Sequence, residues 1–314
     1  MSPVSRKVLL LLLFGRFVAA HSAPLPSSAP EDDDAVEVPQ GRHESGPQAR
    51  HRFAANCDKG LAKACNALGT LYLHGSGVER DEKKALEYFD RACAGGLAPG
   101  CLSLAAMFQQ GVGTQRDGEQ AKALLVRARG LYKLHCDKGA PGACALLGGM
   151  MAAGVGGPAD AAGAVPLLKD ACDKNAALGC ALLGQRYAGG EGVAQDYARA
   201  AALYRKACDG GVAEGCLDLG VLYATGRGVE LNAGSAAALY RQACDKGRGK
   251  ACYDLALFYR SGAGVAKDEA QAVTLTAQAC QRGYAEACAA TPSAAPAATS
   301  APAALPRAAP ATAP

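Results

Sequence analysis

The chain has 314 residues, with 33 Lys or Arg against 29 Asp or Glu, a formal charge of +4. That excess is too small for a nucleic-acid binder, whose affinity grows with the number of phosphates neutralised, and no run of Lys and Arg offers a membrane-surface patch. Aromatics are only 5% and Trp is absent, so Ala and Gly carry much of the apolar content; this suits close helix packing, and the length points to a repeat array or two domains.

Residues 1–20 read as an export signal. Arg6 and Lys7 precede the apolar run Val8 to Phe14, and Val18-Ala19-Ala20 offers small residues for cleavage before His21. Arg16 interrupts the apolar character. The run is too short to span a bilayer, so the cleaved chain is not expected to be an integral membrane protein. Residues 21–50 hold Pro, Ser and the acidic run Glu31 to Asp34, and read as a disordered linker.

A repeat occupies residues 51–290. The 14 cysteines form seven pairs, each with its partner eight residues on: Cys57 with Cys65, Cys93 with Cys101, Cys136 with Cys144, Cys172 with Cys180, Cys208 with Cys216, Cys244 with Cys252, and Cys280 with Cys288. Successive pairs are 36 residues apart, except for one step of 43, a period that marks a solenoid. Three residues after the second Cys stands Leu (Leu68, Leu104, Leu147, Leu183, Leu219, Leu255). Next comes Gly or Ala, and three further on a large side chain (Tyr72, Phe108, Met151, Tyr187, Tyr223, Tyr259). Leu and the large residue are four apart, on one face of a first helix, and the small residue beside them would admit a neighbouring backbone. Each first helix stops at a glycine, from Gly75 to Gly262, with a second glycine two residues later.

Asp81, Asp117, Asp160, Asp196, Asn232 and Asp268 then supply N-caps for second helices. The long step places seven extra residues near Arg129 to His135, in the second helix of unit two. Seven residues are close to two turns, so the helix lengthens while Cys136 keeps its facing. Residues 291–314, of Ala, Pro, Ser and Thr with a lone Arg307, read as a disordered tail.

Each first Cys closes a second helix and each second Cys opens the next first helix. The hairpin brings both turns within bridging distance, so seven structural disulfides are the leading reading. Zinc sites prefer Cys two to four residues apart, and six of the seven pairs have no nearby His, His135 beside Cys136 being the exception. Redox catalysis usually uses Cys-x-x-Cys, which is absent. Disulfides in turn place the chain outside the cytoplasm, periplasmic or secreted.

The unit Cys-x-x-Leu-Gly-x-x-Tyr-x-x-Gly-x-Gly-Val-x-x-Asp-x-x-x-Ala-x-x-Leu-Tyr-x-x-Ala-Cys-Asp, best seen at Cys180 to Asp209, resembles the Sel-one-like repeat. With its paired cysteines it is similar to the disulfide-bridged Helicobacter cysteine-rich proteins. The third unit departs: Gly157 replaces the usual Val, and Pro166 falls inside its second helix, where a kink is expected. The resemblance implies an all-α, right-handed α/α solenoid of about six helix-pair repeats with a concave groove, and a role in binding or assembly. It also implies an alternative, weak beta-lactamase or penicillin-binding activity.

The residues for such chemistry are missing. Ser-x-x-Lys and Lys-Thr-Gly do not occur, and His21, His43, His51, His74 and His135 have no metal-ligand spacing on one helix. The recurrent carboxylates are explained as caps. No catalytic residue, metal or cofactor is therefore assigned. Positions five, eight and nine after the second Cys differ between units. Among them Thr70, His74, Gln109, Gln110, Gln185, Val221, Thr225, Leu257 and Arg260 form a groove floor if the first helices line the inner curve, and unconstrained surface otherwise. Such a neutral groove suits a protein, an extended peptide or a peptidoglycan fragment rather than nucleic acid.

Overall fold

The computed structural model describes residues 47–290, and every described element is a helix. The export signal of residues 1–20, most of the linker and the tail of residues 291–314 lie outside the described residues. In chain order the helices are α1 (Pro47–Asp58), α2 (Ala62–His74), α3 (Glu82–Ala94), α4 (Ala98–Gln110), α5 (Gly118–Asp137), α6 (Pro141–Ala153) and α7 (Ala161–Asp173). They continue with α8 (Ala177–Gly189), α9 (Tyr197–Asp209), α10 (Ala213–Thr225), α11 (Ala233–Asp245), α12 (Gly249–Ser261), α13 (Glu269–Gln281) and α14 (Ala285–Ala290). The first helix starts at Pro47, four residues ahead of the repeat boundary read from sequence. Each helix packs on the next, giving an α/α solenoid.

The expected caps are in place. Asp81, Asp160, Asp196, Asn232 and Asp268 each accept the N–H three residues on, and Asp117 accepts two N–H groups. Asp196→Ala should therefore cost about 1 kcal/mol of stability, read as a lowered midpoint in urea. The first helices from α2 to α12 end on a left-handed glycine, such as Gly190 at φ 68°. At each disulfide corner another glycine turns the chain, except in one unit where Asn175 takes its place at φ 64°.

All seven cysteine pairs are bridged as the spacing predicts, each to the partner eight residues on. Cys57 is joined to Cys65, Cys93 to Cys101, Cys136 to Cys144, and Cys172 to Cys180. Cys208 is joined to Cys216, Cys244 to Cys252, and Cys280 to Cys288. The bridged Cα atoms lie 4.5–4.7 Å from each other. Three of the carbonyls at these helix ends are met by cations from the following unit. Arg91 donates to the Cys57 carbonyl at 3.0 Å, Lys246 to that of Cys208 at 3.3 Å, and Arg282 to that of Cys244.

The small residue after each core Leu has a different partner from the one read from sequence. It makes room chiefly for a side chain of the unit's own second helix. A Cβ on Gly69 would lie 2.7 Å from the Phe89 ring, and one on Gly184 or Gly220 would lie 2.8 Å from Tyr204 or Tyr240. In the sixth unit, where the equivalent second-helix position holds the smaller Thr276, the first helix carries Ala256. Glycine thus faces the aromatic rings, and Ala256 faces the smallest partner.

Helix α5 absorbs the seven-residue insertion by repeating its core stripe: Ala121 and Leu125 are buried, then Ala128 and Tyr132. In units two, four, five and six the second loop glycine packs on the first residue of the preceding second helix, as Gly113 does on Glu82 and Gly192 on Ala161. Gly156 instead packs on Leu125, seven residues beyond the start of α5. The third unit therefore docks on the C-terminal register of the long helix. The same helix explains Gly157: Arg129 reaches Pro158 and its guanidinium fills the space a side chain at 157 would need. Pro166 does not end α7, which keeps the usual 13 residues; as the sixth of them it removes the N–H that would bond the Ala162 carbonyl.

Candidate functional site

The first helices α2, α4, α6, α8, α10 and α12 bury the second Cys (Cys65, Cys101, Cys144, Cys180, Cys216 and Cys252) and the residues three and four beyond it. At 100° per residue, the opposite face carries positions two before and two, five and nine after that Cys. The candidates at positions five and nine, Thr70, His74, Gln110, Gln185, Val221, Thr225 and Leu257, are on this face. Gln109 and Arg260, at position eight, are off to its side. Arg260 turns to Glu269 of α13 at 3.1 Å, and Thr70 and Thr225 bond carbonyls of their own helices.

Sequence reasoning missed the two positions nearer the helix start. At position two the first four units carry Ala67, Ser103, Leu146 and Leu182, and the last two carry Asp218 and Asp254. Two residues before the Cys, α10 carries Glu214 and α12 carries Lys250. Stepping back along the same helical face from Val221 and Leu257, by three and then four residues, would have found them.

These residues join three units in one polar cluster. Gln185 of α8 donates its amide to Asp218 of α10 at 3.5 Å. Arg248, just ahead of α12, pairs with Glu214, and Lys250 pairs with Asp254 at 2.6 Å. Burial raises the Asp218 carboxyl to about 7; Glu214 adds to the rise, while Gln185, Arg248 and Lys250 oppose it. Its folded pKa thus exceeds the unfolded one, so folding is favoured below about pH 4 and this contribution is lost as pH rises towards 7. Asp218→Asn should raise the melting temperature by several degrees at pH 8 and leave it unchanged at pH 4, as read by thermal circular dichroism.

The arrangement is a side-chain row on a rigid frame, the form of a repeat scaffold for protein interaction. The Sel1 repeat matches residues 62–97, 98–129, 177–212, 213–247 and 249–284, more than half of the chain, and passes over the divergent third unit. The chain belongs to the Sel1 repeat family, whose members generally act as protein-interaction scaffolds. No curated protein matches it.

Among solved structures it is similar to c5321, a protective antigen present in uropathogenic Escherichia coli strains. Identity is 31% and TM-score 0.50, covering 76% of this chain and 50% of that one. This chain therefore spans about half the length of that relative. A Sel1 repeat protein from Oxalobacter formigenes matches at 21% identity and TM-score 0.54, covering 74% of this chain and 97% of that one. Cysteine-rich protein B of Helicobacter pylori matches at 29% identity and TM-score 0.34, covering 41% of this chain and 92% of that one.

Seven disulfides and no free cysteine fit an extracytoplasmic protein. Among the described residues no helix is long and apolar enough to cross a membrane.

Proposed function

We propose that this chain is an exported binding module that takes an extended peptide or protein segment along its row of first helices. One observation carries the reading. The face opposite the core changes from unit to unit while the caps, turn glycines and disulfides repeat. Repetition is what the frame requires, and variation along a continuous row of first helices is what a partner can read. The signal-like residues 1–20 supply the export route to the periplasm or the medium. A peptidoglycan fragment, with its stem peptide, is a second occupant of the same chemistry. The hydrolase alternative has no Ser-x-x-Lys or Lys-Thr-Gly in the sequence and no metal-ligand cluster among the described residues, and the oxidised protein is expected to turn over nitrocefin no faster than buffer.

Peptide display on the oxidised protein tests the binding reading. Enriched peptides should lose affinity at least tenfold on Val221→Trp, which fills the row at α10. They should be indifferent to Val273→Trp, which alters an exposed residue of α13. Binding that survives Val221→Trp, or no enrichment at all, contradicts the reading.

A further inference from the structure

The polar cluster on α8, α10 and α12 breaks the pattern of the array. Its equivalents in the first four units at position two are Ala67, Ser103, Leu146 and Leu182, so the fold does not need charge there. Its own charges do not balance. Glu214 is matched by Arg248, Asp254 by Lys250, and nearby Arg186 by Glu191. Among the described residues Asp218 is left without a cation of its own. Gln185 and Arg186 of α8, Tyr204 of α9, Glu214 of α10, Tyr240 of α11, and Arg248 and Lys250 at the start of α12 surround or act on it. The cluster thus holds one uncompensated carboxylate beside the variable face.

From this imbalance we infer that the C-terminal units recognise an extended partner polypeptide through a lysine or arginine side chain, whose cation seats against Asp218. This inference rests on the proposal that the row of first helices takes an extended segment, and it names the chemistry selected there. A partner cation and a proton compete for the same carboxylate, so the burial that raises Asp218 to about 7 makes recognition depend on pH. If only the ionised carboxylate binds, affinity falls about tenfold from pH 8 to pH 6, and about one proton is released per complex at pH 6.

The probe is a random dodecapeptide library displayed against the full oxidised chain at pH 8, followed by titration calorimetry on the peptides recovered. The recovered pool should be enriched in Lys or Arg at one position. Replacing that residue by norleucine should cost at least tenfold in affinity, and so should Asp218→Asn. The Asp218→Asn complex should also lose the pH dependence, a change that a merely structural role would not produce. The variant is isosteric and expected to fold, which its circular dichroism checks; Glu214→Gln should leave a steep pH dependence in place.

A pool with no cationic preference that still responds to Val221→Trp would overturn the inference and leave the binding reading standing. An empty pool would overturn both. Tighter binding of the same peptides by Arg307→Ala would show that the chain's own Arg307 takes this place, and would overturn the assignment to a partner.

Discussion

Refolding in the presence of reductant is expected to fail. When the chain is denatured, reduced and diluted into native buffer that still contains reductant, it should not regain its helical circular dichroism. In oxidising buffer it should. Each bridge closes a loop of about nine residues, worth roughly 2–3 kcal/mol in the chain-entropy model. Seven of them sum to roughly 15–20 kcal/mol, above the 5–15 kcal/mol by which folded domains usually exceed their unfolded chains.

The packing explains why the bridges matter so much. Much of the core is alanine: Ala85, Ala92, Ala121, Ala128, Ala164, Ala171, Ala200, Ala207, Ala236 and Ala243 are all fully buried. A buried methyl contributes little, about 25 cal/mol per Å² of apolar surface, compared with a leucine or an aromatic ring. Close approach of small residues sets the geometry, and the covalent corners supply stability that a larger core would otherwise provide. A single pair replaced, Cys208→Ala with Cys216→Ala, should lose about 2–3 kcal/mol and stay folded. Full recovery of helix and melting temperature under reductant would contradict this account.

Replacing Gly228 by alanine should be among the most damaging methyl additions in the array, at about 3 kcal/mol or more. Two costs add. The residue sits at φ 68°, where a side chain costs about 1–2 kcal/mol. Its Cβ would also lie 2.3 Å from the Tyr197 carbonyl carbon and 2.5 Å from the Ala198 nitrogen, both backbone atoms of the previous unit that cannot turn aside. Gly247→Ala separates the two terms. It sits at φ 90° with nothing within 4 Å of the added methyl, so it should cost only about 1–2 kcal/mol. Urea denaturation of the two variants reads the difference, and equal losses would show that the loop contact between units is not tight.

The repeating parts of the fold were legible because each does one local job at a fixed place. An aspartate that must accept an N–H, a glycine that must adopt positive φ and a cysteine that must meet its partner recur at a strict period, so the sequence displays them directly. The insertion was legible as two helical turns. Its consequence was not: Gly156 docking on Leu125, and Gly157 yielding its space to Arg129, depend on contacts between units that no local pattern encodes.

The candidate site was half legible. Gln185, Val221 and Leu257 could be found because they vary within a fixed frame. Glu214, Asp218, Lys250 and Asp254 sit nearer the start of their helices, beside the cysteines, and a reading that began five residues after the Cys passed over them. Arg260 was a candidate by its position, eight residues after Cys252, and its guanidinium pairs with Glu269 of α13. The partner of Gly184 and Gly220 was also hidden, since a missing side chain says that something comes close without saying what.

Peptide mapping of protein exported in its native form, digested without reduction and with free thiols blocked, bears most directly on the whole scheme. Seven linked pairs, each joining a cysteine to the one eight residues on, and no blocked thiol are the expected result. Substantial free thiol, or bridges joining cysteines of different corners, would mean that the helices are not stacked as cross-linked hairpins, and the binding face built on that stack would fall with it.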